Sequence, residues 1–224
     1  MTNPWESLTF DGGSYLLETD RASIEIFNKQ QRDEDRRVVA SAIPEPFIGD
    51  PSQAKVVLLG LSPGYSVNNL SHSWADFRDG MFLNLRHGKQ DFPFYPLNPA
   101  FRETGAGQWW RKIVGRLRSE SGLHESTFAK RLMVIEWFPY PSRRAALPVA
   151  KICDSQEYTF DLAARMLKKE GVVVVGMRSR AHWVGASSEF RQVPFLVNKQ
   201  RPFVTRGNME GGLFDRILEA MRVS

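Results

Sequence analysis

KVVLLGLSPG, residues 55–64, is the stretch whose reading decides the fold. Val56–Gly60 is a continuous apolar run rich in β-branched residues, the pattern of a strand covered on both faces; a strand with one wet face would alternate. Gly, Ser, Pro and Gly then stop the strand and open a loop. Working outward, Leu132–Ile135 reads as a second buried strand, ended by Pro139 and Pro141, with Val172–Val175 as a third and Phe195–Val197 as a fourth. Helical spacing separates them. Within Gln108–Arg118, Trp110, Ile113, Val114 and Leu117 share one face, and Arg111, Lys112, Arg116 and Arg118 take the others. Asp154 with Glu157 has the form of a capping box, opening a helix with Leu162, Ala163, Met166 and Leu167 on its apolar stripe and Lys168, Lys169 and Gly171 at its close. Leu213, Phe214, Ile217, Leu218 and Met221 mark a final helix. Strands alternating with helices predict an α/β fold: a single three-layer domain with a central parallel four-stranded sheet flanked by helices, its ligand at the carboxyl ends of the strands.

Residues 1–54 read as an N-terminal arm and extended lead-in, with a helix over Asp20–Arg37 and then a break where Pro44, Pro46, Gly49 and Pro51 crowd together. Residues 55–224 are the core, carrying an insertion over 68–91 within the long polar and aromatic stretch Tyr65–Gly107. A stretch of that length is not an idle connection in a compact domain.

Composition narrows the class. The chain has 224 residues, 42% hydrophobic and 25% charged, and no apolar run near the roughly 20 residues that span a bilayer. Met1–Phe10 has no basic region followed by an apolar stretch, so no signal peptide is expected. The single cysteine, Cys153, rules out an internal disulfide, a zinc cage and an iron–sulfur site, and His72 and His87 lack metal-ligand spacing. A cytoplasmic protein without metal or cofactor is expected, acting as a monomer and away from membranes. Of 30 basic residues 21 are Arg, whose planar fork suits phosphate; the first 50 residues hold a net −5 and the remainder +10. Basic residues outnumber acidic ones 9 to 4 over Arg102–Arg144 and 6 to 1 over Arg178–Arg206. A polyanionic partner fits that distribution.

Gly60, Leu61, Ser62, Pro63 and Gly64 match G-x-S-x-G, the nucleophile elbow of serine hydrolases, and Asp154 and His182 follow in the required order. One atom argues against it. The oxyanion hole uses the N–H of the residue after the nucleophile, and Pro63 has none. The same block resembles the first motif of the uracil-DNA glycosylase superfamily, where a buried strand ends in glycine, one residue, a catalytic polar residue, proline and glycine. Phe92, Pro93 and Phe94, followed by Trp109, Trp110, Arg111, Lys112 and Ile113, resemble the Phe-Pro-Phe and helix segment of the mismatch-specific branch. Leu132–Glu136 with Pro139 resembles the strand that reads the base edge, and Asn198, Lys199, Gln200 and Arg201 fall where the family has its second signature loop. The chain resembles a divergent member without iron–sulfur cysteines.

That resemblance implies a DNA partner, duplex or single-stranded, and hydrolysis of the N-glycosidic bond of a damaged or deaminated base after base flipping. It gives Ser62 and Glu136 the catalytic positions. It assigns Gly60, Leu61, Pro63, Gly64, Tyr65, Phe94, Tyr95, Asn198 and Arg201 to the substrate, with Phe94 stacking on the extruded base. Arg111, Lys112, Arg116 and Arg206 would meet DNA phosphates. Two residues depart from the family. Ser62 stands where the family uses asparagine or aspartate, and a hydroxyl is a poor base without charge. Glu136 stands where asparagine is common, and an ionised carboxylate only accepts hydrogen bonds, so uracil's carbonyls would meet it badly. The reading is then a base presenting amino or imino donors, or Glu136 as general base. A catalytically silent nucleic-acid or nucleotide-binding module of the same fold is the alternative, and a serine hydrolase using Ser62 the weaker one. Each residue also has a plain structural reading: Ser62 satisfying a strand-end carbonyl, Phe94 as core, Glu136 in an ion pair with Arg143 or Arg144, Asn198 as a turn residue, Arg201 as a solvated charge. The resemblance expects Ser62, Phe94, Glu136 and Asn198 to line one cleft.

Overall fold

In the computed structural model, which describes residues 1–65 and 74–223, four strands form one sheet. They are β1 (Phe47–Ile48), β2 (Val56–Leu59), β3 (Leu132–Ile135) and β4 (Val173–Gly176), in the order β1-β3-β2-β4. Seven α-helices accompany them among the described residues: α1 (Glu18–Gln30), α2 (Trp74–Leu85), α3 (Gly105–Ser121), α4 (Glu125–Arg131), α5 (Gln156–Lys168), α6 (Arg180–Ala186) and α7 (Leu213–Arg222). The continuous apolar run does what its composition demands. All four residues of β2 and all four of β3 are fully buried, and β2 pairs in parallel with β3 on one side and β4 on the other.

The sheet is mixed rather than wholly parallel. Its fourth strand is β1, which runs antiparallel to β3 with Phe47 opposite Ile135, inside the segment read from sequence as an extended lead-in. Two residues between Pro46 and Gly49 are too few to show a period. Phe195–Val197 makes only a single parallel bridge, Phe195 with Gly176. Extending that ladder toward Val174 would need an N–H from Pro194, which has none. Past the bridge, the Val197 N–H turns away to the Asn208 carbonyl.

Other expectations shift for local reasons. The first helix stops at Gln30 instead of reaching Arg37, because Asp33 accepts a hydrogen bond from the Asp35 N–H and starts a separate 3-10 turn at Glu34–Arg36. Asp154 does not cap α5; it faces Lys151, while the Gln156 side chain accepts from the N–H groups of Ile152 and Cys153 and so folds the chain into the helix. Residues 1–54 are built into the core: Trp5, Leu17, Ile24, Phe27 and Ile43 are buried, and buried Asp20 accepts hydrogen bonds from the Tyr140 hydroxyl and the Ser155 N–H. Of the expected insertion, 68–73 lies outside the described residues, His72 included, and α2 buries Phe77, Met81 and Leu85. No helix of the described residues is long and apolar enough to cross a membrane.

Gly49 fixes β1 in place. Its φ is +119°, and a Cβ there would lie 2.6 Å from the Leu132 carbonyl oxygen and 2.9 Å from the Met133 Cα. Gly49→Ala is expected to destabilise the protein by about 2 kcal/mol or more in urea unfolding.

Candidate functional site

The register of the sheet sets the site. Leu59 lies level with Ile135 and with Gly176, so Gly60, Glu136 and Met177 leave the three parallel strands side by side. The next residues stay paired: Gly60 donates to the Ile135 carbonyl, Phe138 to Leu61, and Met177 to Leu59, each at 2.9 Å, and Gly64 bridges Ser142. Behind them the buried Trp183 indole of α6 donates to the Gly60 carbonyl at 2.8 Å. The loops after β2 and β3 are therefore pinned together, and between them opens a cleft of about 830 Å³.

Ser62 and Glu136 both line this cleft, as do Gly60, Leu61, Pro63, Gly64 and Tyr65. Ser62 is half-buried. Glu136 is 8% exposed, and its Oε2 is buried without a hydrogen-bond partner. The carboxyl lies directly over the Gly60 Cα, where a Cβ would be 2.1 Å from Oε2. Only glycine admits it. The ion pairs considered for Glu136 do not form: Arg143 faces Asp35 at 3.4 Å and Arg144 faces Asp33 at 3.2 Å.

The remaining sequence-based assignments do not converge here. Phe94 is fully buried behind Trp110, edge to face with ring centroids 4.9 Å apart, and does not line the cleft. Other aromatic side chains line it instead, Phe10, Tyr15, Tyr65, Phe77, Trp109 and Trp110, and Trp109 is 42% exposed. Tyr95 is buried and its hydroxyl donates to Glu45 Oε1. Asn198 is exposed and closes a turn, accepting from the N–H groups of Gln200 and Arg201; it and Arg201 are not among the residues lining the cleft.

The expected phosphate contacts are mostly engaged in the fold. Arg111 pairs with Glu125 at 2.6 Å and donates to the carbonyls of Leu97 and Asn98. Arg116 pairs with Glu120, Arg206 with Asp215 and Glu120, and Lys112 sits over the Phe203 ring. The arginines at the cleft are Arg78, Arg143 and Arg178. Arg178 was findable, since it follows the third strand at its carboxyl end, where open α/β sheets bind ligands.

Sequence reasoning also missed Glu45, hidden in the proline-rich lead-in. It lines the cleft and hydrogen-bonds Tyr95. Burial pushes Glu45 up to about 7, against the pull of the Tyr95 hydrogen bond. Burial first, and then the charge of Glu45, push Glu136 up to about 8, with Arg178 pulling the other way. Near neutral pH Glu136 is thus mainly a carboxylic acid, not the ionised acceptor assumed from sequence, and it both donates and accepts.

No serine-hydrolase triad assembles. His182 Nε2 meets the Leu147 carbonyl at 3.0 Å, its Nδ1 is buried without a partner, and Asp154 is exposed beside Lys151. Among the described residues no cluster of three or more His, Cys, Asp or Glu could hold a metal ion. Fold and site together define an α/β protein with a two-carboxyl cleft at the carboxyl ends of its parallel strands. Comparison with family models, with curated proteins and with solved structures found no match to this chain.

Glu136 ties the cleft to stability. Its folded value lies above the ordinary 4.5, so the stability that its protonated form contributes is fully present below about 4.5 and is lost as pH rises to about 8. Chemical denaturation should therefore show stability falling across that window, and Glu136→Gln should flatten the fall; an unchanged slope would contradict the buried, neutral acid.

Proposed function

We propose that this chain is a DNA glycosylase-like protein of uracil-DNA glycosylase-like fold, hydrolysing the N-glycosidic bond of a damaged base swung out of the helix. One observation carries the reading: the Ser62 loop and the unpartnered, buried carboxyl of Glu136 face the same cleft from the ends of adjacent parallel strands. A buried polar atom without a partner costs free energy that a ligand can return.

In this reading the base edge meets Glu136 and its face lies on the Trp109 and Tyr65 side of the cleft. Ser62 orients the attacking water by accepting or donating one hydrogen bond. Arg78 and Arg143, which line the cleft where Arg111 and Arg206 do not, meet the flanking phosphates from their own exposed ion pairs with Asp79 and Asp35. The first turns of α3, which bring Gly105 and Ala106 to the cleft, add backbone N–H groups on the same side. These groups support DNA as the partner.

A hydroxyl in place of an amide or carboxylate favours a second reading, a binding module without turnover. Oligonucleotides carrying uracil, hypoxanthine, xanthine or alkylated bases separate the two. Abasic product from at least one lesion supports the enzyme, and salt-dependent binding without product supports the module. For the enzyme, Ser62→Ala should slow base release about tenfold to a hundredfold. Trp109→Ala should weaken binding of the lesion strand by about 1–3 kcal/mol, read by fluorescence anisotropy. A fluorophosphonate probe is expected to leave Ser62 unlabelled.

A further inference from the structure

We propose that Glu45 and Glu136 act together as a paired acceptor that selects a cationic, N-alkylated purine carrying an exocyclic amino group. This rests on the glycosidic reading above and names the class of base it takes.

The cleft is divided by charge. Its two acids are the withdrawn groups: Glu136 is buried, and Glu45 is half-buried with Oε1 held by Tyr95. They flank different strands. Glu45 precedes β1 and Glu136 follows β3, and the chain joins them where Glu136 donates its N–H to the Pro46 carbonyl and Glu45 donates its own to Pro139. The cations at the cleft lie further out, Arg78 and Arg143 at 45% and 57% side-chain exposure, with Arg178 half-buried and acting on Glu136. Basic groups toward solvent suit phosphate; acidic groups beneath suit a base that is rich in donors or positively charged.

The fold supplies few hydrogen-bond partners to the two acids. The Tyr95 hydroxyl serves Glu45, and Oε2 of Glu136 has nothing. A neutral deaminated base needs one donor–acceptor partner, which Glu136 alone supplies, and makes no use of Glu45 beyond its bond to Tyr95. An amino-bearing cation uses both: the amino group donates hydrogen bonds, and its charge favours the ionised form of each carboxyl, opposing the burial that holds them protonated.

The same class of base answers the weakness of Ser62. Alkylation at a ring nitrogen leaves the purine positively charged before reaction begins. When the C1′–N9 bond breaks, its electron pair moves onto the base and neutralises that charge, so no acid need protonate the leaving group. Water adds its oxygen to C1′ and its released proton passes to a cleft carboxylate and then to solvent. Ser62 is asked only to place the water.

The test uses the full chain and duplex oligonucleotides with one 7-methylguanine, 3-methyladenine, uracil or hypoxanthine. Alkylated purines are expected to be released at least about tenfold faster, relative to their spontaneous loss, than the neutral bases. Glu45→Gln should lower that preference roughly tenfold while changing release of neutral bases less, the loss expected for one charged acceptor. Equal or faster release of uracil or hypoxanthine, or an equal effect of Glu45→Gln on all four, overturns the inference and leaves the glycosidic reading standing. If no lesion gives abasic product, that reading fails, and the selection is read from quenching of Trp fluorescence by 7-methylguanosine monophosphate against inosine monophosphate. A roughly tenfold preference for the alkylated nucleotide, lost in Glu45→Gln, then supports paired recognition without turnover, and equal binding overturns it.

Discussion

Strand β2 has neither a free edge nor a free face, and the rest of the molecule is arranged around that constraint. Val56, Val57, Leu58 and Leu59 are each fully buried, hydrogen-bonded to β3 on one side and β4 on the other. With its backbone satisfied by neighbours and its side chains by helices such as α7, the strand can end only by turning into a loop at its carboxyl end. Because the two ladders are in parallel register, Gly60, Glu136 and Met177 emerge together. The cleft is a consequence of that alignment, reinforced from behind by Trp183 on the Gly60 carbonyl.

Gly60 gives the arrangement its chemistry. A side chain on this residue would occupy the space of the Glu136 carboxyl, so the absence of a Cβ lets an acid lie against the backbone of the central strand, out of water. Burial then decides its charge. A carboxyl in solvent would be ionised at neutral pH; this one is held mainly protonated, and Glu45 close by adds to the effect. The energy stored in an unpartnered polar atom and in two facing acids makes the cleft responsive to what enters it, more so than its shape alone.

The N-terminal segment illustrates how an acidic composition can mislead. Its sequence reads as an acidic N-terminal arm and extended lead-in, yet Asp20 is buried with two hydrogen-bond donors, and Asp33 and Asp35 face Arg144 and Arg143 beside the cleft. It also contributes β1 and Glu45, one a strand and the other half of the acid pair. Local pattern could not reveal either. A two-residue strand has no period, and an acid between prolines looks like any exposed turn residue.

Sequence by itself determined the strands β2, β3 and, within a residue, β4, together with α3, α5 and α7, because continuous apolar runs and helical stripes are properties of neighbouring residues. It also placed the Ser62 loop and Glu136 at strand ends, where the cleft lies. Tertiary structure alone decided what those residues meet: that Phe94 packs behind Trp110, that Arg111 and Arg206 are held in ion pairs, that Asn198 closes a turn, and that Glu136 is pushed up by burial in a cleft it shares with Glu45. The physical reason is common to all four. Burial and charge state depend on contacts between segments far apart in the chain, and no local pattern of residues encodes which segments those will be.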